Sequence, residues 1–442
     1  MQVMFEKLFK RLLKKEVTQP KYFFGRYSDN NKTIEKVKKW SEAEHLFREK
    51  KYRNCVDLFF DYLKDDFAQN IHLEKRIRQT SFIIYQGSVV IRGKFDDISF
   101  SATAEFLRIQ QPSNPAMRKL LEQNFFLYYS RFTLEGEKIG MRFDSDMETA
   151  NPNKLYYGLK ELAINADQQN NLLINEFNQL QQIDKDHLEK LPAEEIGIKL
   201  DYFRIFIREA LSEIEKLVPE KHEVAISNLL LSLGYRIDYL LLPEGKLRQD
   251  LENIISIFYN KQENSVAERN HLMIEAYRTL LLKTDNELIP YFYRAKSTFS
   301  VVAPQPFKEV VEHIQFALEN VKSYTDEKYN DIVQRILEFG LSFCQYSFSL
   351  PKPLTNFFQL YMEVNYPDYF MALGIRKPLF DKSTNIFNPK DIEKSIVKIN
   401  NEWREKYPKL SFKIQAIEYN SIGNFNKSFL KEIIQLNFEG RK

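Results

Sequence analysis

Asp144, Asp146 and Glu148 sit at alternate positions, which is how an oxygen-ligand calcium loop begins. The pattern then breaks. Thr149 stands where the sharp turn of such a loop needs glycine, and Leu155 stands where a bidentate glutamate belongs. Acidic residues directly after a strand read more simply as turn formers. The six histidines, at 45, 72, 187, 222, 271 and 313, form no pair at helical spacing and no zinc motif. The string His-Leu-Glu-Lys occurs at 72–75 and again at 187–190, and its recurrence reads as coincidence. Gly423–Ser428 ends in Lys-Ser but lacks the glycine before the lysine that a phosphate cradle requires. There is no Gly-x-Ser-x-Gly and no Gly-x-Gly-x-x-Gly. Cys55 and Cys344 both lie among apolar residues at helical spacing. They read as core thiols, since an apolar setting raises a thiol's pKa. No metal, cofactor or catalytic residue is expected.

The elements that would carry any site follow from periodicity. The chain has 442 residues, room for two or three domains. Only 13 glycines, beside 36 phenylalanines, favour helices over tight-turned barrels. Residues 4–15 read as a basic amphipathic helix packed on its own domain, with contact to anionic lipid as the alternative. Residues 40–66 read as a helical hairpin. Near 80–144 the rhythm becomes two. Ile98, Phe100, Ala102, Ala104 and Phe106 alternate with polar residues, and Gly87-Ser88 and Gly136 mark hairpins. Asn114-Pro115 opens a helix whose apolar face is expected to hold Met117, Leu120, Leu121 and Phe125. FLYYSRFTL and KIGMRFD read as paired strands, and a long helix is expected over 154–177. The polar stretch 179–195 reads as a linker. The rest is helical, punctuated by prolines, apart from an expected strand at 411–419. The fold class is therefore an α+β N-terminal module, an antiparallel sheet with helices, followed by a mostly α-helical C-terminal half. Expected boundaries are 1–68 (helices including the hairpin), 69–180 (the α+β module) and 195–442 (the helical part).

Across residues 54–178 the order helix, three strands, helix, two strands, long helix resembles the type III secretion chaperone-like fold shared with the YbjN family. VVIRGKF, ISFSATAEFLRI and AMRKLLEQNFFLYYSRFTLEGEKIGMRFD carry the resemblance, with Leu120, Leu121 and Asn124 closing the middle helix. The resemblance implies a sandwich-like module, often dimeric, that holds a partner segment on apolar surfaces. It implies no catalytic residues.

Sixty-four basic and 61 acidic residues leave a net charge of +3, too little for a bulk field that attracts nucleic acid. The absence of a secretory leader pattern and the two distant cysteines point to a reducing, cytoplasmic setting. The function expected is protein binding, chaperone-like or scaffolding. The partner would be a protein or peptide, possession of a homodimeric state is compatible, and Tyr85, Tyr128 and Tyr129 on exposed sheet faces would serve as anchors. The alternative is an enzyme with a small-molecule pocket between the two halves, for which Arg236, Asp238, Arg294 and His313 are the dispersed polar candidates.

Overall fold

A computed structural model describes residues 22–29, 32–65, 68–109, 114–177, 179–260, 264–324, 329–375 and 377–440. The expected helix at 4–15 lies outside them. The first described segment, 22–29, is irregular. Helices α1 (Ile34–Arg48) and α2 (Tyr52–Leu63) form the expected hairpin, and Lys50 turns between them at positive φ. Then come β1 (Ile71–Lys75), β2 (Thr80–Gln86), β3 (Val89–Phe95), β4 (Ser99–Ile109), α3 (Asn114–Asn124), β5 (Ser130–Glu135), β6 (Lys138–Asp146) and the long helix α4 (Pro152–Glu176).

The strands are antiparallel in the order β1-β2-β3-β4-β6-β5. The two-residue rhythm divides them cleanly. Phe82, Ile84, Ile91, Phe95, Phe100, Ala102, Met141 and Phe143 are buried on one face. Helices α2 and α4 cover that face, and the Phe60 ring lies 4.7 Å from Phe82 and 5.9 Å from Phe95. The opposite face is polar, with opposite charges beside one another: Lys138 and Glu105 are 2.7 Å apart, and Arg142 and Asp144 are 2.8 Å apart. Of the suggested calcium ligands, Asp144 is therefore engaged by arginines, including Arg131 at 2.7 Å.

Several expectations are corrected. β1 was not anticipated. Ile98 lies outside β4 and is exposed. The stretch 179–195 is no free linker: β7 (Leu180–Gln182) pairs with β4, and β8 (Glu189–Lys190) pairs with β9 (Tyr293–Arg294). The reason lies in strand length. β4 runs past the end of β3, so Leu107–Ile109 offer ladder positions that the chain returns to fill.

The C-terminal half holds α5 (Ala193–Glu215), α6 (Pro219–Leu241), α7 (Gly245–Tyr259), α8 (Val266–Leu281), α9 (Asp285–Leu288), α10 (Phe307–Asn320), α11 (Asn330–Ser347), α12 (Lys352–Asn365), α13 (Pro367–Ala372), α14 (Pro389–Trp403) and α15 (Ile422–Ile433), with a small β10 (Phe380–Asp381)–β11 (Ile386–Phe387) hairpin. α6 is buried on every side from Ala225 onward, packed by α5, α7, α8 and α11. It is the one described helix long and apolar enough to cross a bilayer, and 94% of its apolar window lies inside the protein. The expected strand at 411–419 is absent. Ile414–Ala416 wind into a 3-10 turn, and the backbone on either side bonds to side chains of the flanking helices: Phe412 N–H donates to Asn400 (3.2 Å), Lys413 to Glu432 (3.1 Å) and Glu418 to Ser428 (3.0 Å).

Candidate functional site

The three tyrosines expected as anchors meet different fates. Tyr85 lies on the polar face of β2, but it is covered. His72 meets its ring edge-on and His187 stacks on it, each with centroids 5.6 Å away, and Lys296 Nζ lies 5.4 Å from the ring centre. The two copies of His-Leu-Glu-Lys thus bring their histidines to one tyrosine, a meeting that the sequence does not reveal. Tyr85 is not an open anchor.

Tyr128 and Tyr129, unlike Tyr85, do not lie on a sheet face. The expected strand starts four residues late, at Ser130, and residues 125–129 form a turn between α3 and β5. Leu121 and Phe125, expected in the core face of α3, point outward. Phe125 and Tyr128 are each 92% exposed, Phe126 73%, Leu121 69% and Tyr129 41%. α3 makes its main contact with β5 at the sheet edge, so only Ala116 and Leu120 are needed inward.

The backbone of this turn is held firmly. Glu161, on α4, accepts the N–H groups of Tyr128 (2.9 Å), Tyr129 (2.9 Å) and Ser130 (2.8 Å), together with the Ser130 hydroxyl (2.8 Å). Asn124 Oδ1 accepts the N–H of Phe132 at 2.8 Å. In β5, the edge strand, Ser130 and Phe132 direct their N–H groups away from β6, and both are occupied by these side chains. The edge is thereby closed to an added strand at its start. What the turn presents is side chains: four aromatic rings, with the exposed Leu121 of α3 one helical turn before them.

The polar candidates for a pocket between the halves separate into two groups. Arg236 and Glu338 are both buried, and Arg236 Nε donates to Glu338 at 2.9 Å. Tyr366 donates to the other oxygen of Glu338 and accepts from Arg335 Nη1 at 2.5 Å. Arg335 reaches Glu213 at 3.3 Å. Two arginines and two glutamates balance, and the Arg236 guanidinium lies 4.9 Å from the centre of the Tyr366 ring. This is an internal ion network at the crossing of α5, α6, α11 and α13.

Asp238 faces elsewhere, toward the segment 22–29. Arg26 donates to Asp238 from Nε and Nη2, to Glu244 from Nη1 (2.6 Å) and to the Pro243 carbonyl (2.6 Å). Burial pushes the Glu244 carboxyl up, and the Arg26 charge opposes that shift. The segment also ties to the module: Tyr156 on α4 donates to Asp29 at 2.5 Å. The adjacent cleft, lined by Gly25, Tyr235, Ser342 and Gln345 among others, has about 10 Å³ of space. That is room for roughly one water molecule, beside a cluster of paired charges. Arg294 pairs with Glu195 at 3.4 Å, and His313 packs 4.3 Å from Phe343 with its pKa lowered by burial. Burial pushes the Cys55 thiol up to about 12 and raises that of Cys344 further. Among the described residues no three potential metal ligands gather.

No protein-family model matches the chain, and no curated protein matches it.

Proposed function

We propose that the protein holds another protein through the aromatic turn Phe125–Tyr129, acting as a chaperone-like or scaffold protein without chemistry of its own. One observation carries this: Glu161 fixes the backbone at Tyr128–Ser130, the end of α3 holds the N–H groups of Phe125 and Phe126, and the rings of Phe125, Phe126 and Tyr128 stand in solvent. An anchor whose backbone is already ordered loses little entropy on binding, and large rings supply most of the contact area at few rotatable bonds. Rings of this type each bury roughly 150–250 Å². Together they approach the ~800 Å² that one partner contributes to a standard interface. The closed edge of β5 directs the partner to the rings and away from strand addition. The resemblance of residues 54–178 to secretion chaperone-like modules supports the same use, and the patch is equally suited to a second copy of the chain. The two buried thiols are in keeping with a reducing, cytoplasmic setting.

Site-specific photo-crosslinking in living cells tests this. A photoreactive residue at Tyr128 is expected to give a discrete protein adduct, which disappears when Phe125 and Phe126 are changed to serine. The same probe at Leu282, an equally exposed apolar position on the helical half, is expected to give none. Adducts of the same pattern from both positions, or none from Tyr128, would refute the assignment.

A further inference from the structure

A second surface of the module is already occupied, by the protein's own chain. Between β9 and α10, residues 295–306 form no helix or strand, and their order comes from the module. Oε1 of Gln86 accepts the N–H groups of both Thr298 (3.1 Å) and Phe299 (2.9 Å), and its Nε2 donates to the Phe299 carbonyl at 3.2 Å. Asn70 Nδ2 donates to the Thr298 hydroxyl at 3.1 Å, and that hydroxyl donates to the Tyr85 carbonyl at 2.9 Å. Gly87 N–H donates to the Lys296 carbonyl at 2.9 Å, and the Lys296 ammonium covers the Tyr85 ring. The Phe299 ring is buried in the core of the sheet module, 5.6 Å from Tyr156, and not in that of the helical half that delivers it.

This arrangement has the parts of a peptide-receiving site. One glutamine side chain reads backbone at two successive residues, which is independent of the occupant's side chains. A buried asparagine selects a hydroxyl, a cavity in the core selects an aromatic ring, and the half-buried ring of Tyr85 selects a cation. All the receiving groups belong to the module, and the occupant belongs to a segment without structure of its own. We propose that Asn70, Tyr85, Gln86 and Gly87 form an acceptor site for an extended peptide, filled in cis by Lys296–Phe299. A partner protein's segment of the same chemistry enters when the resident one is withdrawn: a hydroxyl residue followed by an aromatic one, with a cation two residues before the hydroxyl. The proposal does not depend on the aromatic turn.

The test uses the full chain and a labelled synthetic peptide with the sequence of residues 294–303, followed by fluorescence anisotropy. Phe299→Ala empties the ring cavity, and this variant is expected to bind the peptide at least about tenfold more tightly than the unaltered protein does, as loss of one buried aromatic ring from the competing segment requires. A peptide carrying alanine at the phenylalanine is expected to lose that gain, as is the Phe299→Ala protein with Gln86→Ala added. Tyr128→Ser should leave peptide binding unchanged, which separates this site from the one proposed above. Equal binding to both proteins, or binding to neither, overturns the proposal. If Phe299→Ala is recovered unfolded, the readout becomes its refolding with the peptide. Return of the native near-ultraviolet circular dichroism supports the site, and no return at saturating peptide overturns it.

Discussion

Arg26 grips one oxygen of Asp238 with two donors, Nε at 2.9 Å and Nη2 at 2.7 Å, across 212 residues of chain. Asp238 sits near the end of α6, the most enclosed helix of the protein, and Arg26 sits on the segment that also reaches Tyr156 of the module. Through this pair and the Tyr156–Asp29 bond, the segment 22–29 is tied to both of the larger parts.

Arg26→Ala should lower stability by about 1–3 kcal/mol, toward the low end because the arginine side chain keeps a quarter of its surface in water. Arg26→Lys should recover little, since an ammonium cannot serve Asp238, Glu244 and the Pro243 carbonyl together. Urea unfolding reads the loss, and limited proteolysis should cut first within 22–29. Equal protection of that segment in the alanine variant would contradict the role given to Arg26.

Glu161→Gln keeps the shape of the side chain but leaves one oxygen to serve N–H groups that now share two. Loss of one charge-assisted bond is worth about 1–2 kcal/mol, so amide exchange at Tyr128–Ser130 should rise about tenfold. The global unfolding midpoint should change little. Hydrogen exchange resolved by residue checks this, and unchanged protection at these three amides would show that the turn is held by something other than Glu161.

Glu338→Gln leaves Arg236 buried beside a neutral partner and should cost about 3–5 kcal/mol. The double variant Arg236→Met with Glu338→Leu removes both charges and should be much closer to the original stability. A double-mutant cycle measures the coupling. Additive losses would mean that the two side chains do not act as a pair.

His313 gives a pH dependence of definite sign. Burial against Phe343 and Phe348 lowers its pKa below the ordinary 6.5, against the pull of Glu309 and Glu312. Between the lowered value and 6.5 the unfolded chain binds more protons than the folded one, so stability rises with pH through that window and is lost on acidification. The difference in stability between pH 7.5 and pH 5 should be smaller in His313→Gln than in the unaltered protein. Identical differences would remove His313 as a contributor.

The alternation of Phe100, Ala102, Ala104 and Phe106 was enough to predict a strand with one buried face, because side chains on a strand must point to opposite sides. Asn114-Pro115 and Pro389 likewise mark helix starts that need no tertiary context, since proline lacks the N–H that the first turn leaves unused. Gly87 and Gly136 mark their hairpins through positive φ. All of these are properties of a few neighbouring residues.

Local pattern could not say where a hydrophobic face would find a neighbour. Leu121 and Phe125 have the spacing of a core face and are exposed, because the sheet edge beside α3 needs only a narrow contact. Ser411–Tyr419 has the composition of a strand and stays unpaired, because no ladder partner reaches it. His72 and His187, 115 positions apart in the sequence, meet on Tyr85, and Phe299 completes a core that belongs to another part of the chain. Periodicity is written in short-range geometry and is legible residue by residue. Which surfaces remain open, and which are closed by distant segments, is settled only when the whole chain competes for the same buried space.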